Sequence, residues 1–319
     1  MNASASVPGT FTYTPPAGTR LDAGNGRTLS VTFTPADSTA YSAVSKNVQI
    51  NVTRAPLVVT PNSATKLYGD PLPALTGSIM GVQSGDNITA TFSTTATQTS
   101  PVGSYDITAA LSDPASRLGN YIVTLNKGTL TVTKAPLTLT ADDKSRPFGY
   151  NNPPLTGTIV GIKNGDAITA NYSTSAIPMS DPGTYPIVPA PVDPSGKLPN
   201  YVVTVKNGTL TVEPPTITSA EGLLAEFVTS AGVAGALRSQ LEAIQQAVDS
   251  DNASARDGAL KAFSNSVSAQ IGKSLTADQA AILIAAAGKL QAETTSEKAR
   301  PPRSAQGSSD GSRQGSFRP

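Results

Sequence analysis

Strict alternation of apolar and polar residues runs through the chain up to Glu213, and helical spacing takes over beyond it. Thr10-Phe11-Thr12-Tyr13-Thr14 alternates and stops at Pro15-Pro16. Leu29, Val31 and Phe33 share one face of a second run, with Gly24-Asn25-Gly26 as the turn before it. Val48, Ile50 and Val52 make a third. Farther on, the pattern predicts strands over 137–142, 155–160, 168–173, 184–188, 201–205 and 209–212. Lys206-Asn207-Gly208 reads as the hairpin turn joining the last two, and Lys127-Gly128 as its counterpart upstream. Asp70-Pro71-Leu72-Pro73 and Asn152-Pro153-Pro154 are connectors, because proline donates no ladder hydrogen bond. After Glu213-Pro214-Pro215 the apolar residues fall three and four apart: Val233, Leu237, Leu241, Ile244 and Val248; Leu260, Phe263, Val267 and Ile271; Leu283, Ala287 and Leu290. This predicts a three-helix bundle with a short leading helix over 220–228. Asp249-Ser250-Asp251-Asn252 and Gly272-Lys273-Ser274 break the helices, and Thr276 with Gln279 forms a capping box. From residue 293 the Gly/Ser/Arg-rich sequence has no apolar pattern and is expected to be a disordered tail.

One stretch is written twice. Ala55-Pro56-Leu57 returns as Ala135-Pro136-Leu137, Gly85-Asp86 as Gly165-Asp166, Asn120-Tyr121 as Asn200-Tyr201, and Gly128-Thr129-Leu130-Thr131-Val132 as Gly208-Thr209-Leu210-Thr211-Val212. Every offset is 80 residues. Tandem copies of equal length argue for an array of small domains, each with its own core. The division that follows is a partial β unit over 1–54, β modules over 55–134 and 135–214, a helical domain over 215–292 and the tail over 293–319. The class is mainly β, in tandem small antiparallel modules. Three strands are few for an independent core in the first segment, so further repeat domains are expected upstream.

Composition narrows the chemistry. The chain holds 23 basic and 22 acidic residues, a net charge of +1, so it carries no electrostatic footprint for nucleic acid. There is no Cys and no His, which removes thiolate nucleophiles, disulfides, and the commonest general base and transition-metal ligand. No apolar stretch is long enough to span a bilayer. No nucleophile–base pair or phosphate loop stands out, and no enzyme activity or cofactor is expected.

Three resemblances are carried by particular residues. Tyr68-Gly69-Asp70, Gly103 with Tyr105, Asn120-Tyr121 and the Gly128–Val132 run resemble the bacterial MBG domain of the YGX type, with Phe148-Gly149-Tyr150 as the variant triplet in the second copy. An aromatic core role survives that exchange of Tyr for Phe, whereas a role for the hydroxyl does not. Gly9–Pro15, the 29–37 run and Tyr41 resemble bacterial immunoglobulin-like repeats. Ala262-Phe263, the 270–276 run, Gln279-Ala280 and Leu283-Ile284 resemble the helical FIMAH domain. The resemblances imply sandwich or β-grasp-like modules in an extracellular or bacterial cell-surface protein. Its repeats would act as a stalk and adhesive surface, with host or matrix glycans or proteins as partners. A carbohydrate- or protein-binding module, or an accessory region of a secreted hydrolase, is the alternative. Stiffness would come from the Ala-Pro and Pro-Pro joints, since proline fixes its own φ and restrains its predecessor.

The candidate metal ligands are Asp86, Asp142, Asp143 and Asp166, a hard-oxygen set for Ca²⁺ at the junction of modules. The competing and favoured reading is turn chemistry, since Asp after Gly is a common loop residue. Asp249-Ser250-Asp251-Asn252 begins like an EF-hand loop but has Ser254 and Leu260 where Gly and Glu are needed. Tyr105, Tyr185, Tyr121 and Tyr201 are candidate sugar platforms, with strand packing favoured.

Overall fold

The computed structural model describes residues 2–291, so the tail over 293–319 lies outside the described residues. Contacts divide the chain into two compact units. The first is Met1–Thr138 with Val160–Thr169 and Asp193–Thr204; the second is the rest of the described chain from Leu139. The boundary passes through the second copy of the repeat.

The first unit opens with an antiparallel sheet of β1 (Gly9–Thr14), β2 (Gly24–Pro35) and β3 (Val44–Val52), in that order. Gly24-Asn25-Gly26 is not a turn. It is an irregularity inside β2, where the register shifts between Gly24 and Arg27. The Arg27 side chain keeps the strand running by donating to the carbonyls of Asp22 (3.0 Å) and Ala23 (2.8 Å).

Repeat 1 (55–134) is a two-sheet sandwich. Its strands are β4 (Ala55–Pro61), β5 (Ala64–Leu67), β6 (Gly77–Met80), β7 (Thr89–Thr94), β8 (Gly103–Ser112), β9 (Tyr121–Leu125) and β10 (Gly128–Thr133). One sheet has the order β6-β4-β9, the other β5-β10-β8-β7. Alternation places Leu57, Ile107 and Leu130 fully inside. No α-helix interrupts the repeat, whose only helical piece is the 3-10 turn Leu118–Asn120, so the sandwich rather than the β-grasp describes it.

The expected hairpin is absent. β9 and β10 lie in different sheets, each beside a parallel partner from the start of the repeat: Ala55 pairs with Tyr121, and Ala64 with Leu130. Two chain segments run side by side and cross together from one sheet to the other, at Asn62-Ser63 and Asn126-Lys127. Asn126 ties the crossing by donating to the Val59 carbonyl from its backbone and to Thr60 Oγ1 from its side chain, both at 2.9 Å. The glycine that signalled a turn is there because the crossing is tight. A Cβ on Gly128 would lie 2.9 Å from the Pro61 carbonyl oxygen, and one on Gly208 would lie 2.6 Å from that of Asp142.

Repeat 2 (135–214) copies this plan with β11 (Ala135–Ala141), β12 (Lys144–Pro147), β13 (Gly157–Val160), β14 (Thr169–Ser173), β15 (Gly183–Val192), β16 (Tyr201–Lys206) and β17 (Gly208–Glu213). The sheet orders are β13-β11-β16 and β12-β17-β15-β14. Three of these sheets contain a parallel pairing: β4 with β9, β5 with β10, and β12 with β17. β5 and β12 do not show in the apolar pattern, being four residues long and largely polar.

In the second unit four helices follow: α1 (Ile217–Phe227), α2 (Ala231–Asp249), α3 (Ala253–Ser268) and α4 (Ala277–Gly288). The expected leading helix is a full member of the bundle, with Leu223 and Leu224 completely buried. Thr216 with Ser219, and Thr276 with Gln279, form capping boxes, and Asn252 caps α3 through Ala255 N–H. The Asp249–Asn252 stretch is therefore an interhelical turn. The bundle does not have a core of its own. Phe148, Ile187, Leu210 and Val212 of the repeat belong to the same apolar cluster as Leu223, Leu241, Phe263 and Leu283.

Substitution Gly208→Ala forces a methyl against the carbonyls of Asp142 and Ala141. It should cost about 1–3 kcal/mol through overpacking, read as a lowered denaturation midpoint. The same change at exposed Gly235, which has open space around it, should leave the midpoint unchanged or raise it, since alanine favours a helix over glycine.

Candidate functional site

The Asp, Asn and Tyr of the recurring Gly-Asp and Asn-Tyr pairs gather at one end of each repeat, where the preceding module meets it. The loop before β9 is shaped by Asp113, whose carboxylate accepts from Arg117 N–H (2.8 Å) and Leu118 N–H (2.7 Å). Asp193 plays the same part in repeat 2, accepting from Leu198 N–H at 2.8 Å. This loop presents Asn120-Tyr121, or Asn200-Tyr201, to the Gly-Asp turn. Tyr121 donates its hydroxyl proton to Asp86 Oδ2 in a short hydrogen bond and accepts from Gln83 N–H at 2.8 Å. Tyr201 donates to Asp166 Oδ2 at 2.7 Å and accepts from Lys163 N–H at 2.9 Å. Each repeat thus builds a socket of one carboxylate, one buried Tyr and one Asn.

The preceding module fills each socket. Arg20 grips Asp86 with both guanidinium nitrogens, at 2.7 and 2.9 Å, and reaches the Ser84 carbonyl at 2.9 Å. Asn120 accepts from Ala23 N–H at 2.6 Å and donates to Asp22 at 2.9 Å. At the socket of repeat 2 the arginine's place is taken by Tyr68, whose hydroxyl donates to Asp166 Oδ2 at 3.0 Å while its ring meets Tyr201 edge-on, centroids 5.5 Å apart. Asn200 accepts from Val102 N–H at 3.0 Å, and Asp70 pairs with Lys163 at 3.0 Å. Gly69, at φ +79°, lies against Lys163: a side chain here would place its Cβ 2.4 Å from Lys163 Cβ. The Tyr68-Gly69-Asp70 triplet is therefore a plug.

A buried cation shapes the plug. Lys66, 7% exposed, donates to the carbonyls of Asp70 and Gln98 at 3.0 Å each, and its amine is pushed down by burial. Arg146 holds the equivalent loop of repeat 2 through Asn152 Oδ1 (2.6 Å), the Pro147 carbonyl (3.2 Å) and the Ile177 carbonyl (2.5 Å). That loop carries Phe148-Gly149-Tyr150, and its counterpart is the helical bundle. Phe148 is fully buried, and a Cβ on Gly149 would stand 2.5 Å from Leu223 Cδ1. Tyr150 donates to the Ser219 carbonyl at 3.0 Å. Lys289 pairs with Asp181 at 2.7 Å and stands 5.6 Å from the centre of the Phe148 ring.

The four candidate ligands find other partners. Asp86 and Asp166 are the socket carboxylates. Asp142 and Asp143 serve the crossing in repeat 2, accepting from Thr156 Oγ1 (2.6 Å) and Thr209 N–H (2.7 Å), where Asn62 and Ser63 serve it in repeat 1. Among the described residues no three acidic, His or Cys side chains come together as a metal-holding group. Tyr121 and Tyr201 are buried, and Tyr105 and Tyr185 donate to the carbonyls of Pro101 (2.9 Å) and Asp181 (2.8 Å). Sequence reasoning missed Arg20, the Tyr68 hydroxyl and both Asn side chains as joint-makers. The signal available was the recurrence of Gly-Asp and Asn-Tyr at one offset.

The same contacts set the electrostatics of the sockets. The Asp86 carboxyl is held below the usual carboxylate range, first by the Tyr121 hydrogen bond and then by Arg20, against the opposing effect of burial. Burial first, and the Asp166 hydrogen bond second, push Tyr201 up to about 12. Ionised Asp86 and neutral Tyr201 are thus the forms that these contacts favour.

Comparison with known proteins follows the same division of the chain. Residues 57–131 and 137–211 each match the MBG domain (YGX type), which is not a known catalytic family. No curated protein matches the sequence. Among solved structures, the chain is similar to Drosophila N-cadherin EC1-4 at 11% identity and a TM-score of 0.22, over 59% of this chain and 60% of that one. It is similar to three N-terminal domains of the bacteriophage RB49 outer capsid protein Hoc at 12% identity and a TM-score of 0.26, over 66% and 91%. It is also similar to domains 4–9 of the surface layer protein SbsC at 13% identity and a TM-score of 0.16, over 60% and 36%. At these scores none of the three structures sets the fold or the function of this chain. Among the described residues no helix is long and apolar enough to cross a membrane.

The signs of the two shifts set the pH window. A depressed Asp86 contributes stability that is present above its unfolded value of about 3.9 and is lost as pH falls through the folded value. A raised Tyr201 contributes stability that is full below about 10 and is lost as pH climbs through its folded value. The joints should hold across the neutral range and open at both extremes, seen by amide exchange over residues 83–88 in acid and 160–169 in alkali. Tyr201→Phe should remove one late-titrating group from the tyrosinate absorbance curve; an unchanged curve contradicts the assignment.

Proposed function

We propose that this chain is a non-catalytic extracellular repeat region that serves as a stiff stalk or spacer of a bacterial secreted or cell-surface protein, and offers its β modules as an adhesive surface. The observation that carries the reading is the repeated lock. The same Asp, Tyr and Asn at one offset receive the preceding module twice, by Arg20 and Ala23 in one case and by Tyr68 and Val102 in the other. Such joints remove the rotational freedom a linker would leave, and position is passed from one module to the next. The Asp and Asn side chains that a binding site would need free are spent on the preceding module. The match of both repeats to the MBG domain supports a structural role. A neutral, hydroxyl-rich composition with 14% charged residues suits life outside the cell.

The chain has no Cys, so a pair of introduced thiols can be spin-labelled cleanly. Ser93→Cys in repeat 1 and Ser195→Cys in repeat 2, both exposed sites of the first unit, should give one narrow distance distribution by electron–electron resonance. Arg20→Ala, at the other joint, should leave it narrow, and Asp166→Ala should broaden it. A broad distribution in the unaltered background would overturn the stiff-spacer reading. Glycan and matrix-protein binding screens would then decide between a binding module and an accessory region of a secreted enzyme.

A further inference from the structure

The plugs of the two repeats are built on the same positions and have opposite chemistry. At the first triplet position repeat 1 has Tyr68, whose hydroxyl needs an acceptor and finds the Asp166 carboxylate. Repeat 2 has Phe148, which has no proton to give and is fully buried in a cluster with helix residues. At the third position Asp70 pairs with Lys163, whereas Tyr150 lies over α1, where Gly222 makes room: a Cβ on Gly222 would come 2.2 Å from the Tyr150 hydroxyl. A third change is decisive because it is absolute. Val102 offers a backbone N–H to Asn200, and its counterpart Pro182 has none to offer. The neighbouring Asp181, where repeat 1 has Pro101, instead takes Lys289 of the bundle. All three plug differences disfavour a second socket of the Asp-Tyr-Asn kind and favour an apolar helical surface.

We propose that positions 68, 70 and 102 of repeat 1, and 148, 150 and 182 of repeat 2, specify what class of domain a repeat can precede. Tyr, Asp and a residue with a free N–H select another repeat bearing Gly-Asp and Asn-Tyr. Phe, Tyr and Pro select an α-helical bundle and make repeat 2 the last of its array. Discrimination rests on leaving groups unpaired against the wrong partner, namely a socket carboxylate and an Asn carbonyl facing Phe and Pro. The inference rests on the locked joints of the spacer reading, but it concerns their order and stands apart from what the array is used for.

The test inserts an extra copy of residues 135–214 between residues 134 and 135 of the full chain, so that one repeat 2 precedes another. Labels at Ser173→Cys in the upstream copy and Ser195→Cys in the downstream copy report the new joint. The unaltered plug should give a broad distance distribution. Phe148→Tyr, Tyr150→Asp and Pro182→Val in the upstream copy should narrow it to the width of the Ser93–Ser195 pair. A narrow distribution with the unaltered plug overturns the code while leaving the stiff spacer standing. The native chain gives a second reading that does not depend on the insertion folding. Tyr68→Phe should speed amide exchange over residues 160–169 by about tenfold, as expected for a lost hydrogen bond to a charged group, and leave 217–224 unchanged. Phe148→Tyr should do the reverse. If both exchanges leave both regions unchanged, the residues do not discriminate.

Discussion

A single carboxylate shared between two modules is the constraint on which the rest depends. Asp86 and Asp166 each accept a hydrogen bond from a tyrosine of their own repeat and another from a donor of the module before it. A carboxylate, with about four lone-pair sites, can accept both at once. The internal tyrosine fixes the carboxylate in place before the neighbour arrives, so the joint forms with little ordering left to do. Around this pair the Asn side chain reads a backbone N–H, which fixes rotation as well as distance. The sandwich supports the arrangement. In repeat 1 the pairing of β4 with β9 sets Ala55 beside Tyr121, so the socket is set by the sheet and not by a free loop.

The helical end solves the same problem with apolar surface. Phe148, Ile187, Leu210 and Val212 continue directly into the core of the four helices. Burying a side chain of this size contributes about 1.5–3 kcal/mol, so the last joint is held by area where the earlier ones are held by charge and hydrogen bonds. The consequence is that the boundary between compact units does not follow the repeat boundary. The sheet β12-β17-β15-β14 belongs with the helices, although its sequence belongs with the repeat.

Much of this was legible in the residues. Alternation located most strands, helical spacing located the bundle, and the 80-residue offset gave the array. What escaped was long-range. The Asn-Gly at 207–208 looks like a hairpin locally, but Gly208 is required by the carbonyl of Asp142, 66 residues earlier in the chain. The four-residue strand Lys144–Pro147 has no apolar period because it is defined by its parallel partner β17. Asp86, Asp142, Asp143 and Asp166 look alike as loop acids. Their roles diverge only through partners such as Tyr68, which is 98 residues from Asp166. The exchange of Tyr68 for Phe148 was visible, and its meaning needed the neighbour each one meets.

The most direct measurement is a double-mutant cycle between Tyr68 and Asp166 in the full chain, with Tyr68→Phe, Asp166→Asn and both together, read from amide exchange over residues 160–169. A joint made by this contact predicts a coupling of about 1–2 kcal/mol, in the range of a hydrogen bond to a charged group. Additive effects, within about 0.5 kcal/mol of zero coupling, would mean that the tyrosine and the carboxylate stabilise their own modules separately and that the shared carboxylate does not lock the array.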